Sequence, residues 1–362
     1  MSAAVAGMVQ FHRPNQGCRP TRSTGARQPA DMGMLDLSIL IPTYKRPDQL
    51  LRCLESLADQ SCAGSFEVIV GVDGGEGAVA LSDVPGTLAG RVRIESFPKM
   101  GLISLRHRML AMARGRIFLS LNDDVQARPG LIDAHLDAHS AGPKRVVAGV
   151  APWKPIESPN LFDRIIERTG IIFFPPPKDR AHGYRDCYGL NMSAPVGLAR
   201  EFGGFPDVRD AYGYDDTELA YRLQVAGGAE IVFRSDAAVI HDHRMTPRDV
   251  LKREYLLGRS AWTYAELNPG FARALFGRDI RTSEEVGHAR WVLENDRRDA
   301  ARAERHFIKL AEQPPDAVPS SLLETLADSW LCLKRYLWRW GMVDSADGVP
   351  MRWSELGAGC IG

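Results

Sequence analysis

A chain of 362 residues with 45 Lys and Arg against 45 Asp and Glu and a pI near 7.1 has room for one large α/β domain with appendages or for two domains, and its balanced charge argues against a nucleic-acid polyanion as the main partner. Cys18, Cys53, Cys62, Cys187, Cys332 and Cys360 form no Cys-x-x-Cys pair, which disfavours a zinc ribbon or a dithiol redox motif and makes a reducing cytoplasm the easier home. No apolar run approaches the roughly 20 residues of a membrane span, and the first residues lack the apolar core of a secretory signal.

Residues 1–34 mix Gly, Pro, Gln, Arg and Ser without a period and read as a mobile basic tail, with order beginning near Leu35. Leu37 to Ile41 is apolar and ends at Pro42 and Thr43. Pro47 and Asp48 then open a helix with a stripe of Leu50, Leu51, Leu54 and Leu57. A strand from Phe66 to Val72 stops at Asp73, and another from Arg91 to Phe97 leads through Gly101 into a helix carrying Arg106, Met109, Leu110 and Met112. From Arg116 an apolar run too short for an independent helix reads as a buried strand ending in Asn122, Asp123 and Asp124. Alternating strands and helices predict a parallel sheet with helices on its faces, and such sheets bind ligands beyond the carboxyl ends of their strands.

Between Pro152 and Cys187 the pattern breaks up around Pro152, Pro155, Pro159 and the Pro175–Pro177 run, as in long loops that either bind something or are disordered. After the turn Gly203-Gly204-Phe205, Asp215 and Asp216 fall at or just before a helix N-terminus. Two short strands follow, Ile231–Phe233 and Ala237–Ile240, the second running into His241-Asp242-His243. From Pro247 onward the pattern is helical, with breaks near Pro269 and over Pro314–Pro319, and a domain edge is expected near residue 270. Leu322, Leu326, Trp330, Leu333, Leu337 and Trp340 make one helical stripe. Packing on the sheet domain or on a second subunit is its ordinary use; with Lys334, Arg335 and Arg339 it could instead lie on a membrane surface.

Two adjacent carboxylates at a strand end repel, so either Asp123 and Asp124 cap a polar loop or a hard divalent cation sits between them. Asn122 and Asp124, one residue apart, share a side of the extended chain. Capping a helix needs one aspartate, whereas Asp215 and Asp216 are two, with Glu218 beyond; one of them in a cleft could act as a general base. His241 and His243 share a strand face and could share a metal, or be surface histidines. Arg106, His107 and Arg108 are a solvated basic turn or holders of phosphate oxygens. Gly75-Glu76-Gly77-Ala78-Val79-Ala80, with Glu95 about 20 residues on, fits a relaxed dinucleotide fingerprint. Ser82, Asp83, Pro85 and Gly86 interrupt the helix that fingerprint needs.

These stretches, in this order, resemble the family-2 glycosyltransferases with the A-type nucleotide-diphosphosugar transferase fold, from about Leu37 to His243. Ser38 to Arg46 is similar to the opening strand, which puts Pro42, Thr43, Tyr44 and Arg46 at the nucleotide. Val68 to Gly75 is similar to the second strand, with Asp73 at the base-binding position and Gly74-Gly75 where a second acid and Gly-Ser usually stand. By the resemblance Arg106 approaches nucleotide and phosphates, with His107 in place of the usual asparagine. Leu121 to Val125 looks like the Asp-x-Asp motif in an Asn-x-Asp form: Asn122 faces the ribose, Asp123 belongs to the nucleotide site and Asp124 ligates Mn²⁺ or Mg²⁺. Phe202 to Leu219 resembles the acceptor segment, with Gly204, Tyr214 and Glu218 at the acceptor, Asp215 and Asp216 catalytic, and Asp216 the base. His241 matches a histidine that completes the metal site.

The resemblance thus implies an α/β fold, a mostly parallel Rossmann-like sheet flanked by helices over 35–246, with a helical extension over 247–362. The implied activity is metal-dependent, inverting transfer of a sugar from a nucleoside-diphosphate donor, UDP being the expected nucleotide, to a hydroxyl of a saccharide, lipid-linked or small-molecule acceptor, as in polysaccharide biosynthesis. Cytoplasmic residence is expected, with peripheral membrane contact or a homodimer through the C-terminal helices as options. A non-catalytic nucleotide-sugar binder of the same fold and an NAD-dependent oxidoreductase are the alternatives.

Overall fold

The computed structural model describes residues 34–75, 79–169, 181–317, 319, 321–351 and 361. Outside them lie the expected tail up to residue 33, residues 76–78 of the dinucleotide fingerprint, the Pro175–Pro177 run, Cys18 and Cys360. Strand β1 (Leu37–Thr43) is buried along its length because its apolar side chains serve two layers. Leu37, Ile39 and Ile41 enter one core and Leu40 the other. Helix α1 (Pro47–Ala58) buries Leu50, Cys53, Leu54 and Leu57 against the first layer. Then come β2 (Phe66–Asp73), β3 (Val92–Phe97), α2 (Leu102–Met112) and β4 (Ile117–Leu121). β1 to β4 pair in parallel, in the order β3-β2-β1-β4.

Beyond β4 the parallel expectation gives way to a mixed sheet. β5 (Val125–Ala127), α3 (Leu131–Ser140), β6 (Arg145–Val150), α4 (Leu161–Thr169), β7 (Asn191–Pro195), α5 (Val196–Glu201), α6 (Asp215–Val225) and β8 (Glu230–His241) complete eight strands in the order β3-β2-β1-β4-β7-β6-β8-β5. β7 runs antiparallel to both β4 and β6. The two short strands expected around residues 231–240 are one strand: the polar Arg234-Ser235-Asp236 that interrupts the apolar pattern is accommodated where the register with β6 shifts. A buried network holds β7, in which His135 meets Ser193 (2.8 Å) and Asn191 (2.9 Å); burial keeps the His135 imidazole neutral, with its pKa at about 4.

The C-terminal helices are α7 (Pro247–Leu267), α8 (Pro269–Phe276), α9 (Ser283–Asn295), α10 (Arg297–Ala311) and α11 (Ser321–Ala346). The expected edge near residue 270 is only a change of helix at Asn268, whose side chain caps α8, and residues 34–362 form one compact unit. Leu326, Trp330, Leu333 and Leu337 of the α11 stripe are buried with Tyr255 of α7, Phe307 of α10 and Phe162 of α4. The apolar face that a membrane surface would need is therefore occupied by protein, and no described helix is long and apolar enough to cross a membrane. α7 and α11 cross at two glycines. A Cβ on Gly341 would stand 1.9 Å from the Tyr255 carbonyl oxygen, and one on Gly258 would stand 1.9 Å from that of Trp338. Gly341→Ala should therefore cost about 1–3 kcal/mol by overpacking against backbone, read as a lower denaturation midpoint; an unchanged midpoint would show that the helices can part freely.

Candidate active site

The β1–β4 register, Leu40 opposite Ser120, carries Thr43 to Asp123, and Thr43 Oγ1 donates to the Asp123 carboxylate at 2.8 Å. Arg46, just past β1, reaches Asp124 Oδ2 at 2.9 Å and Asp123 at 3.4 Å. The two acids are thus held by a hydroxyl and a guanidinium. Burial and the Asp124 charge push the Asp123 carboxyl up to about 6. Burial also opposes the Asp124 charge, but His241, Arg46 and His243 outweigh it and hold Asp124 at about 2.

His241 reaches this place through β5, where Val125 pairs with His241 and the Asp242 amide donates to the Asp124 carbonyl at 2.8 Å. Its Nε2 lies 3.4 Å from Asp124 Oδ1. That oxygen is buried and accepts no hydrogen bond among the described residues. A carboxylate oxygen and an imidazole nitrogen facing one point suit a divalent cation. No three His, Cys, Asp or Glu side chains converge on a metal position among the described residues; a cation held by Asp124 and His241 would need water or oxygens of a bound molecule for its remaining ligands. Trp153 packs on the His241 ring, centroids 4.2 Å apart, with His243 stacked on it at 5.9 Å.

Asp73 lies at the end of β2, on the same sheet edge, but its carboxylate is engaged by the turn into α2. It accepts from Lys99 Nζ at 2.6 Å and from the Met100 and Gly101 amides at 2.7 and 3.1 Å. Lys99 also sits 3.2 Å from the ring centroid of the half-exposed Tyr44. Pro42 lies within β1, paired with Gly71.

Arg106, expected near phosphates, is buried between two segments, donating to Asp215 at 2.7 Å and to the Asn122 side chain at 2.8 Å; Asn122 is correspondingly engaged by Arg106. This joins the end of β4 to the start of α6. His107 meets the Phe205 carbonyl at 2.6 Å, and Arg108 is exposed beside Asp207. Arg106→Met should leave Asp215 as an unpaired buried charge at a cost of about 3–5 kcal/mol; in denaturant melts the double variant with Asp215→Asn should regain part of it. Additive losses would argue against the pairing.

Asp215 and Asp216 open α6 inside its first turn rather than capping it. The N-cap position belongs to Tyr214, which makes no side-chain cap and has φ +65°. Asp216 accepts from the Gly189 amide at 2.6 Å and the Thr217 amide at 2.7 Å. Burial and the adjacent Asp215 charge push its carboxyl up to about 6, which suits a base working near neutral pH.

The turn before α6 is braced by the C-terminal helices. Trp338 donates to the Tyr214 hydroxyl at 3.3 Å, Ser260 accepts from the Tyr212 amide at 2.7 Å, and Asn268 donates to Glu218 at 2.9 Å. Arg222 donates to Glu218 at 2.8 and 2.7 Å and to the Gly204 carbonyl at 2.6 Å. The Tyr214 and Glu218 side chains and the Gly204 carbonyl, expected at the acceptor, are thus engaged by partners within the fold. Gly189, Trp153 and the bracing residues carried no signal in the sequence, because Trp153 lies in its irregular segment, Gly189 just beyond it, and the rest looked like ordinary helix.

A sheet parallel through β3-β2-β1-β4, acids beyond β4 and an aspartate pair opening α6 define an A-type nucleotide-diphosphosugar transferase fold with a helical C-terminal region. Residues 38–193 match the family model described as Glycosyl transferase family 2. Over 242 residues it is 29% identical to validoxylamine A glucosyltransferase of Streptomyces hygroscopicus subsp. jinggangensis, covering 58% of this chain and 56% of that one. Over 133 residues it is 32% identical to the uncharacterized glycosyltransferase YfnE of Bacillus subtilis, covering 33% and 31%. The chain thus spans about half the length of the first relative and a third of the second. Among solved structures it is similar to the mannosyltransferase PcManGT of Pyrobaculum calidifontis, in complex with GDP-Man and Mn²⁺, with a TM-score of 0.53 and 18% identity over 87% of this chain and 88% of that one. At that identity the likeness bears on the fold.

Proposed function

We propose that the protein is a metal-dependent, inverting glycosyltransferase that moves a sugar from a nucleoside-diphosphate donor, UDP-linked by expectation, to an acceptor hydroxyl. The reading is supported above all by one arrangement: Asn122, Arg106 and Asp215 tie the acids beyond β4 to the turn that carries Asp216. Asp216 takes the proton of the acceptor hydroxyl as that oxygen attacks the anomeric carbon from the face opposite the leaving diphosphate. Asp124 Oδ1 and His241 Nε2 would hold Mn²⁺ or Mg²⁺, which supplies the positive charge that the departing diphosphate needs. Tyr44 offers its ring to the base, and Thr43 and Arg46 orient the acids. Cytoplasmic residence and a part in polysaccharide synthesis accord with this reading.

A panel of UDP-, GDP- and dTDP-sugars with Mn²⁺ tests it. One nucleotide series should raise the melting temperature, and the product formed from that donor should have inverted anomeric configuration by NMR. Retained configuration would overturn the mechanism, and stabilisation by NADH alone would favour the oxidoreductase.

A further inference from the structure

A cavity of about 640 Å³ lies beside the site, lined among others by Ala151, Trp153, Ile156, Ile166, Phe233 and Met245. It falls within the range of about 300–1,000 Å³ usual for small-molecule sites. Two of its walls are shared with the site. Trp153 and His243 line it while packing on His241, and Tyr188 lines it one residue before Gly189, whose amide holds Asp216. A molecule seated here therefore packs on the Trp153 and His243 rings beside His241 and on the Tyr188 side of the segment that leads to Gly189.

The charged groups of the wall are already matched within the protein. Lys154 pairs with Asp242 at 3.0 Å, Arg244 with Asp163 at 2.7 Å and Glu167 with Arg164 at 2.9 Å, while Asp186 accepts from the Gly183 amide at 2.9 Å. The described part of the wall is otherwise mostly apolar and aromatic surface, which gains free energy by covering apolar groups and gains little from a highly hydroxylated body.

Resting on the glycosyltransferase reading, we propose that this cavity is the acceptor subsite, and that it takes an acceptor whose body beyond the reacting hydroxyl is apolar, an aryl or alkyl group rather than a free oligosaccharide. Three probes sharing one sugar test it: methyl, octyl and p-nitrophenyl β-glucoside, titrated by calorimetry into the full-length protein without donor. The octyl and p-nitrophenyl probes should bind roughly tenfold or more tighter than the methyl one. Ala151→Phe, which fills the cavity, and Ile156→Trp, at its half-exposed edge, should each level the three affinities and leave nucleotide stabilisation as in the parent. Equal affinities in the parent would overturn the proposal, as would a preference that survives both substitutions; if Ala151→Phe does not fold, Ile156→Trp decides. Selective binding of the apolar glucosides without turnover of any nucleotide sugar would instead count against the transferase reading, and with it the acceptor assignment, and leave only the apolar preference of the cavity standing.

Discussion

Asp216→Asn should cut turnover by about 10²- to 10⁴-fold while nucleotide and metal binding stay at parental values. The substitution keeps the size of the side chain and an oxygen that can accept from the Gly189 or Thr217 amide, so a loss confined to turnover reports proton transfer rather than misfolding. Parental turnover would remove Asp216 from the role. The carboxyl sits at about 6, raised by burial and by Asp215, above its ordinary value. As a base it works only when ionised, so turnover at saturating donor should fall about tenfold per pH unit below 6 and level off above it. Asp215→Asn removes the second cause of that rise and should move the limb to lower pH. A limb that stays in place would show that another group sets it.

The second large effect is expected at Asp124. Asp124→Ala removes the buried oxygen facing His241, and Mn²⁺-dependent nucleotide binding should weaken by about 100-fold or more, since loss of a supporting partner alone typically costs about 10- to 100-fold at metal sites. Calorimetry with nucleotide, with and without Mn²⁺, separates this from general damage: binding without the ion should change little. Arg46 keeps Asp123 as a partner in the variant, so the loop retains an anchor. Unchanged affinity in the presence of Mn²⁺ would take Asp124 out of the metal site.

Of the site, the parts legible in the sequence were those whose role is set by position at a strand or helix end. Thr43, Asp73 and Asn122 to Asp124 stand at the ends of β1, β2 and β4, and in a parallel sheet such ends share one edge, so apolar runs interrupted by polar residues were enough to bring them together. Asp215 and Asp216 were visible as an excess of acid at a helix start. The side chains assigned by motif alone fared differently. Tyr214, Glu218 and Arg106 stand in the motif positions, yet each is engaged by a group far along the chain: Trp338, Asn268 and Asp215.

By itself the sequence determined the alternation of β1 to β4 with their helices, the sheet edge at which the acids collect, and the helical character of the C-terminal region, because these follow from the period of apolar residues and from local punctuation. Only the tertiary structure decided that β7 runs antiparallel, that His241 is delivered to Asp124 by the short β5, and that α7 and α11 brace the turn holding Asp216. Those pairings join residues many tens of positions apart. Each depends on which buried polar group finds a partner once the layers have packed, and a local pattern does not record that choice.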